Sequence, residues 1–82
     1  MNKILVMVYV LYLDESYDIL LPINLSMNEA IDLIQNTIVE LSNNNYSKHD
    51  NAILINEDGK AINNNNVVRL SGLVNGCKVS LL

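Results

Sequence analysis

The 82-residue sequence is poor in the residues on which most protein chemistry depends. It has one cysteine, one histidine, one proline, three isolated glycines, and no tryptophan or phenylalanine. One cysteine cannot form an internal disulfide or a cysteine-based zinc site, and one histidine excludes a histidine-rich metal site. Isolated glycines form no phosphate-binding loop. Five basic residues stand against nine acidic ones, for a net charge of −4, which disfavours nucleic acid as a partner. We therefore expect no metal, no cofactor and no nucleic acid.

Hydrophobic residues make up 50% of the chain, which is too many for a disordered segment. The length fits one small domain, residues 1–82. The apolar run Ile4–Leu13 follows Lys3 and resembles the core of a signal peptide, but Asp14–Tyr17 offers no small-residue cleavage site. The run is also too short to span a bilayer as a helix. We expect a protein without membrane insertion that stays in the cytoplasm, where an unpaired cysteine is usual.

A capping box marks the start of a helix. Ser26 precedes Glu29 by three residues, so the serine hydroxyl can accept the Glu29 amide while the glutamate reaches back to the cap. An apolar stripe then recurs at helical spacing: Ala30, Ile31, Ile34, Ile38 and Leu41. The opposite, polar face holds Asp32, Gln35, Asn36 and Glu40. The pattern predicts a helix over Met27–Leu41, packed against Val6, Ile19 and Val79.

Five segments have the composition and turn signals of strands. They are Ile4–Tyr12, Tyr17–Leu21, Ala52–Ile55, Lys60–Ile62 and Cys77–Leu82. The first two are close enough to form a hairpin, and the turn Asn56–Gly59 ends in an Asp-Gly pair typical of hairpins. The four asparagines at 63–66 are predicted to form a loop, followed by a compact loop or single helical turn. The order is β-β-α-β-β-β.

This order at this length resembles the ubiquitin-like β-grasp fold, an α+β architecture in which a mixed sheet packs on one helix. The resemblance includes the spacing of Val68, Leu73, Gly76, Val79 and Leu81. It also includes Ile53-Leu54-Ile55 followed by Gly59-Lys60-x-Ile62, which resembles the third strand and hairpin of ubiquitin with two extra residues at the turn.

Within ubiquitin-like proteins, the chain is most similar to the YukD/EsaB family of the type VII secretion systems of Gram-positive bacteria. The residues that carry this similarity are Tyr17-Asp18-Ile19-x-Leu21-Pro22 before the helix and Asn75–Leu82 at the end. The resemblance implies a cytoplasmic, non-enzymatic protein that regulates or supports the secretion machinery through protein partners. The Asn-rich loops and the lack of phenylalanine depart from better-known relatives.

Two other classes of function compete with this interpretation. A ubiquitin-like modifier or a sulfur carrier needs a Gly-Gly tail whose carboxylate can be adenylated, whereas this sequence ends in Leu81-Leu82 and contains no Gly-Gly pair. We therefore expect no conjugation. A small β-grasp inhibitor or adaptor, borrowed by a phage or plasmid, is the other alternative, and neighbouring genes would distinguish it from a secretion protein.

No residue combination predicts catalysis. Cys77 shares strand parity with Val79 and Leu81 and is interpreted as a small buried hydrophobic residue. His49 and Asp50 are adjacent in a polar loop. Adjacent loop residues are rarely oriented so that one is a catalytic base and the other a carboxylate that positions it. The acidic pairs at the turns, Asp14-Glu15 and Glu57-Asp58, supply too few ligands for calcium. We expect a protein that is not an enzyme.

Apolar residues on the sheet face opposite the helix are the main functional signal. If Ile4, Val6 and Val8 face the helix, the alternate residues of the first strand point the other way: Leu5, Met7, Tyr9 and Leu11. Together with residues of the other strands they form a predicted partner surface: Leu5, Met7, Tyr9, Leu20, Leu54 and a central Lys78. Contiguous apolar residues on neighbouring strands indicate an interaction site, either with a partner protein or with a second copy of the chain. Cover by the chain's own loops is the alternative.

Overall fold

The hairpin and helix that open the chain follow from its local sequence signals. A computed structural model describes residues 2–82 and contains the strands β1 (Lys3–Val10) and β2 (Glu15–Pro22), then the helix α1 (Met27–Leu41). The helix has the predicted bounds because the capping box forms: Ser26 Oγ accepts the Glu29 amide at 3.1 Å, and Glu29 Oε1 accepts the Ser26 amide at 3.1 Å. Pro22 ends β2, as expected of a residue that cannot donate to a ladder.

Two short strands complete a four-stranded mixed sheet. They are β3 (Leu54–Asn56) and β4 (Cys77–Leu81), and the sheet order is β2-β1-β4-β3. β1 pairs antiparallel with β2 and parallel with β4, while β3 pairs antiparallel with β4. The strand nearest the start of the chain and the one nearest its end are therefore neighbours at the centre.

The sheet and α1 enclose the hydrophobic core. The predicted stripe residues Ile31, Ile34 and Ile38 are buried, and so are Val6, Ile19 and Val79 on the sheet. The helix and the sheet each bury one face. Because successive residues of a strand point to opposite faces of the sheet, only every second side chain belongs to the core.

All four observed strands differ from their predicted bounds by one or two residues at one end or at both. β1 ends at Val10, and a 3-10 helix over Leu11–Leu13 follows because Asp14 adopts a left-handed conformation, φ 50°, and its amide bonds to the Leu11 carbonyl at 3.1 Å. Leu11, expected on the outer face of the first strand, instead lies in this exposed turn.

The predicted fourth strand, Lys60–Ile62, is reduced to a single bridge between Ile55 and Ala61. The Asn56–Gly59 turn forms, and the Ile62 amide bonds to the Leu54 carbonyl at 2.8 Å. The pairing stops there because Asn63 begins a turn, in which its Oδ1 accepts the Asn65 amide at 2.8 Å. The predicted single helical turn lies at Val68–Leu70, as a 3-10 helix.

Gln35 is not on an exposed polar face as predicted, because it is only 3% exposed. It lies one turn from the buried Ile31 and Ile38, and its amide fixes the following loop. Gln35 Oε1 accepts the Tyr46 hydroxyl at 2.7 Å and the His49 amide at 3.0 Å, while Nε2 donates to the His49 carbonyl at 3.0 Å. A buried polar side chain is stable here because its hydrogen bonds are satisfied.

The entry into β4 is fixed by Leu5 of β1. The Leu5 amide donates to Asn75 Oδ1 at 2.8 Å, and the Gly76 amide donates to the Leu5 carbonyl at 2.7 Å. The asparagine side chain thus replaces a main-chain carbonyl where the parallel pairing begins. Gly76 has φ 86°, a conformation that favours glycine.

Candidate functional site

The outer face of the sheet is defined as the strand side chains that point away from α1. In β1 these belong to Lys3, Leu5, Met7 and Tyr9, which alternate with the buried residues Ile4, Val6, Val8 and Val10. The register extends this face across the sheet, since directly paired residues share a side. Leu20 lies opposite Leu5 and is 59% exposed.

Met7 lies at the centre of the outer face, between opposite charges. In the register, Asp18 of β2 is its partner on one side and Lys78 of β4 is its partner on the other. Met7 is half-buried, whereas Asp18 and Lys78 are exposed. A flexible apolar side chain is thus flanked by a carboxylate and an ammonium on adjacent strands.

A second row of the outer face runs through Tyr9, Ser80 and Ile55, from β1 through β4 to β3. These three side chains, with Lys78 and Glu57, line a shallow cavity of about 120 Å³. The cavity is a shallow indentation in the sheet surface, of a size to take part of a partner's side chain.

The Tyr9 hydroxyl is held by Asp14, to which it donates a hydrogen bond of 2.8 Å. This bond is the largest cause of a raised pKa for Tyr9, followed by loss of hydration and the negative charge of Asp14. Tyr9 therefore remains a neutral phenol at physiological pH, with its hydroxyl oriented toward the end of the hairpin.

The placement of Leu54 corrects the predicted surface. Five of the six predicted residues point to the outer face (Leu5, Met7, Tyr9, Leu20 and Lys78), but Leu54 is 0% exposed and belongs to the core. Its partner in the register is Leu81, which also faces α1. An outward Leu54 requires that Ile53 and Ile55 point inward, and this predicted parity is inverted by one residue. Ile55 takes the place of Leu54 on the outer face.

The residues considered as candidates for catalysis lie apart from this face. His49 is exposed, and its main chain is bound to Gln35. Cys77 is half-buried and packs against the core. Across residues 2–82, no three side chains of histidine, cysteine, aspartate or glutamate are grouped so that they could hold a metal ion. The α-helix found in the same range, 15 residues long, is not long and apolar enough to cross a membrane.

Sequence reasoning missed one cluster entirely. Tyr46, in the same polar loop as His49, is 3% exposed and stacks on Tyr12 with ring centroids 5.9 Å apart. The Tyr12 hydroxyl accepts the Ser47 amide at 3.1 Å. An aromatic residue within an Asn-rich loop was the available signal for this buried anchor.

The sequence matches no protein-family model and no curated protein. Solved structures do match the fold. The ubiquitin-like domain of the Mycobacterium tuberculosis type VII secretion protein EccD1 gives a TM-score of 0.75 at 15% identity, over 100% of this chain and 99% of that one. A structure described as molecular mimicry of SUMO that promotes DNA repair gives 0.74 at 21% identity, over 100% and 92%.

A chain of the MycP5-free ESX-5 inner membrane complex gives a TM-score of 0.71 at 13% identity, with 100% of this chain aligned to 21% of that one. Identities this low establish the architecture alone. The four-stranded mixed sheet and its packed helix align with these structures over the whole chain, at TM-scores of 0.71 to 0.75. The chain has the ubiquitin-like β-grasp fold.

Proposed function

We propose that this chain is a non-enzymatic, ubiquitin-like accessory protein of a type VII secretion system that is not conjugated to targets. It acts in the cytoplasm by binding a protein of the secretion machinery through the outer face of its sheet. The observation that carries the proposal is the outer face itself: Leu5, Met7, Tyr9, Leu20 and Ile55 form an apolar surface on the side that the chain's own helix does not cover.

Two further findings support the assignment to type VII secretion. The ubiquitin-like domain of EccD1 and part of a chain of the ESX-5 inner membrane complex have a similar fold. The residues Tyr17–Pro22 and Asn75–Leu82 resemble the YukD/EsaB family. The half-buried, unpaired Cys77 agrees with a reducing compartment.

The chemistry of the outer face favours a protein partner over a small molecule. The cavity between Tyr9, Ser80 and Ile55 is shallow, and apolar area is spread across adjacent strands. A central apolar residue with charges at its sides is the arrangement of protein interfaces, in which the centre supplies affinity and the charges fix orientation. Met7, between Asp18 and Lys78, has this arrangement.

A matched pair of substitutions tests the proposal. Leu20 and Leu70 are 59% and 63% exposed, but only Leu20 lies on the outer face, since Leu70 belongs to the 3-10 helix Val68–Leu70. Leu20→Asp and Leu70→Asp should each change the free energy of unfolding by about 0.5 kcal/mol or less, because neither opens a cavity. In a strain lacking the gene, Leu70→Asp should restore secretion of type VII substrates and Leu20→Asp should not.

Each outcome of this complementation has a defined meaning. If deleting the gene leaves secretion unchanged, the secretion role is refuted. If Leu20→Asp restores secretion as fully as Leu70→Asp, the outer face is not the interface. Light scattering of the same purified variants identifies a second copy as the partner if Leu20→Asp alone converts a dimer into a monomer.

A further inference from the structure

Asn75 and Gly76 form the one Asn-Gly pair in the sequence, at the turn that enters β4. Asparagine followed by glycine is prone to deamidation, because glycine has no side chain to obstruct attack by its main-chain nitrogen on the asparagine amide. This turn needs glycine, since φ is 86° at Gly76. The fold thus requires glycine after Asn75, which is the pairing most prone to deamidation.

The two reacting groups are both bound to one residue of the central strand. Asn75 Oδ1 accepts the Leu5 amide at 2.8 Å, and the Gly76 amide donates to the Leu5 carbonyl at 2.7 Å. The first bond holds the side-chain amide of Asn75 in the hydrogen-bonding pattern between β1 and β4. The second bond keeps the proton on the Gly76 nitrogen, which is the atom that would attack. A bond to Oδ1 alone would polarise the amide carbonyl, so protection depends on the Gly76 bond.

We propose that Asn75 is a deamidation site that folding holds closed, and that it reacts only after β4 separates from β1. The Gly76 nitrogen loses its proton and forms a bond to Asn75 Cγ, while the bond from Cγ to the side-chain nitrogen breaks and ammonia leaves. Water then opens the resulting succinimide to aspartate or isoaspartate. The sum consumes one water and releases one ammonia, without oxidant or metal.

The required separation is a large opening, because β4 is a central strand. It pairs with β1 on one side and β3 on the other, and its residues Val79 and Leu81 are buried. Central strands open with the most stable part of a structure, so release of the bonds that join Asn75 and Gly76 to Leu5 should follow unfolding of the whole domain.

The products differ in their effect on this connection. Aspartate keeps an oxygen that can accept the Leu5 amide. Isoaspartate carries the main chain through the former side-chain carbon, so the acceptor becomes part of the backbone and the entry into β4 lengthens. Lys78, on the outer face three residues later, would then lose its position opposite Met7.

The test compares deamidation at residue 75 in folded and unfolded protein, by peptide mass mapping after incubation at mildly alkaline pH. The full chain unfolded in guanidinium should react faster than the folded chain by on the order of 10³-fold or more. Ile34→Val, in the core and far along the chain from Asn75, should speed the reaction of the folded protein about fivefold by raising its unfolded fraction. Leu70→Ala, at an exposed site, should leave the rate unchanged.

Two results would overturn the proposal. Equal rates in folded and unfolded chains would show that the bonds to Leu5 give no protection. A slow folded-state reaction that responds neither to Ile34→Val nor to guanidinium below the unfolding transition would show that reaction does not require separation of β4 from β1. Neither result depends on the proposed role in secretion.

Discussion

The register of β3 predicts that truncating two adjacent, similar residues will destabilise the protein to very different extents. Leu54 is 0% exposed and pairs with Leu81 in the core, whereas Ile55 is only half-buried and lies on the outer face beside Ser80. Truncating each to alanine removes a branched aliphatic side chain of similar size. The difference between Leu54→Ala and Ile55→Ala therefore measures which of the two faces the helix.

The expected magnitudes are well separated. A buried leucine replaced by alanine costs about 2–5 kcal/mol, from lost burial and the cavity left behind. At the half-buried Ile55 the same truncation should cost about 1 kcal/mol. Each kcal/mol lowers the melting temperature of a domain of this size by about 4–8 °C. Leu54→Ala should thus remove a large part of the stability of a small domain, about 5–15 kcal/mol in total.

Guanidinium unfolding followed by circular dichroism is the appropriate assay, with Ile34→Ala as the reference for a buried helix residue. Leu54→Ala should match Ile34→Ala in its loss of stability, with the slope of the transition unchanged. If Ile55→Ala is the more destabilising of the two substitutions, the register of β3 is shifted by one residue and Ile55 does not lie on the outer face.

Two further predictions concern the buried tyrosine and the C-terminal carboxylate. Burial raises the pKa of Tyr46 above its usual value of 10.0, and the electrostatic effect of the nearby Tyr12 raises it further. The folded state therefore binds the Tyr46 proton more tightly than the unfolded chain does. The stability that this proton contributes is complete below pH 10 and is lost as pH rises through the folded pKa. Above pH 10, the guanidinium concentration at the midpoint of unfolding should fall more for the wild type than for Tyr46→Phe. The same pH dependence in both proteins would contradict this. Incubated with ATP and a ubiquitin-type activating enzyme, the chain should form no thioester, because it contains no Gly-Gly pair; a covalent adduct through Leu82 would refute non-conjugation.

Sequence signals predicted the helix and the hairpin because each has its own local chemistry. Ser26 and Glu29 fix the start of α1, and the alternation in β1 fixes which side chains face inward. The third strand lacks such a signal. Ala52–Ile55 is a continuous apolar run without alternation, so its parity depends on pairing with β4, which the local sequence does not encode.

The error at Gln35 has a similar cause, since its burial depends on residues 11 and 14 positions along the chain. Gln35 is buried because Tyr46 and His49 satisfy its amide, and periodicity alone assigns a polar residue to solvent. Five of the six predicted surface residues have the expected orientation because they lie on strands whose inward residues are easily recognised. Their role in binding a partner is still a prediction.

The parallel pairing of β1 with β4 also affects when the protein can fold during synthesis. The Leu5–Asn75 hydrogen bond joins residues 70 positions apart, and the register places Val8 beside Val79. The hairpin and helix can form from neighbouring residues, but until Cys77–Leu81 leaves the ribosome, β1 has an unpaired edge and its apolar side chains lack the second half of their sheet. Contacts of such long range slow folding and leave that edge open to association with other chains. The nascent protein is therefore most exposed to aggregation, and most dependent on chaperones, in the interval before its central strand emerges.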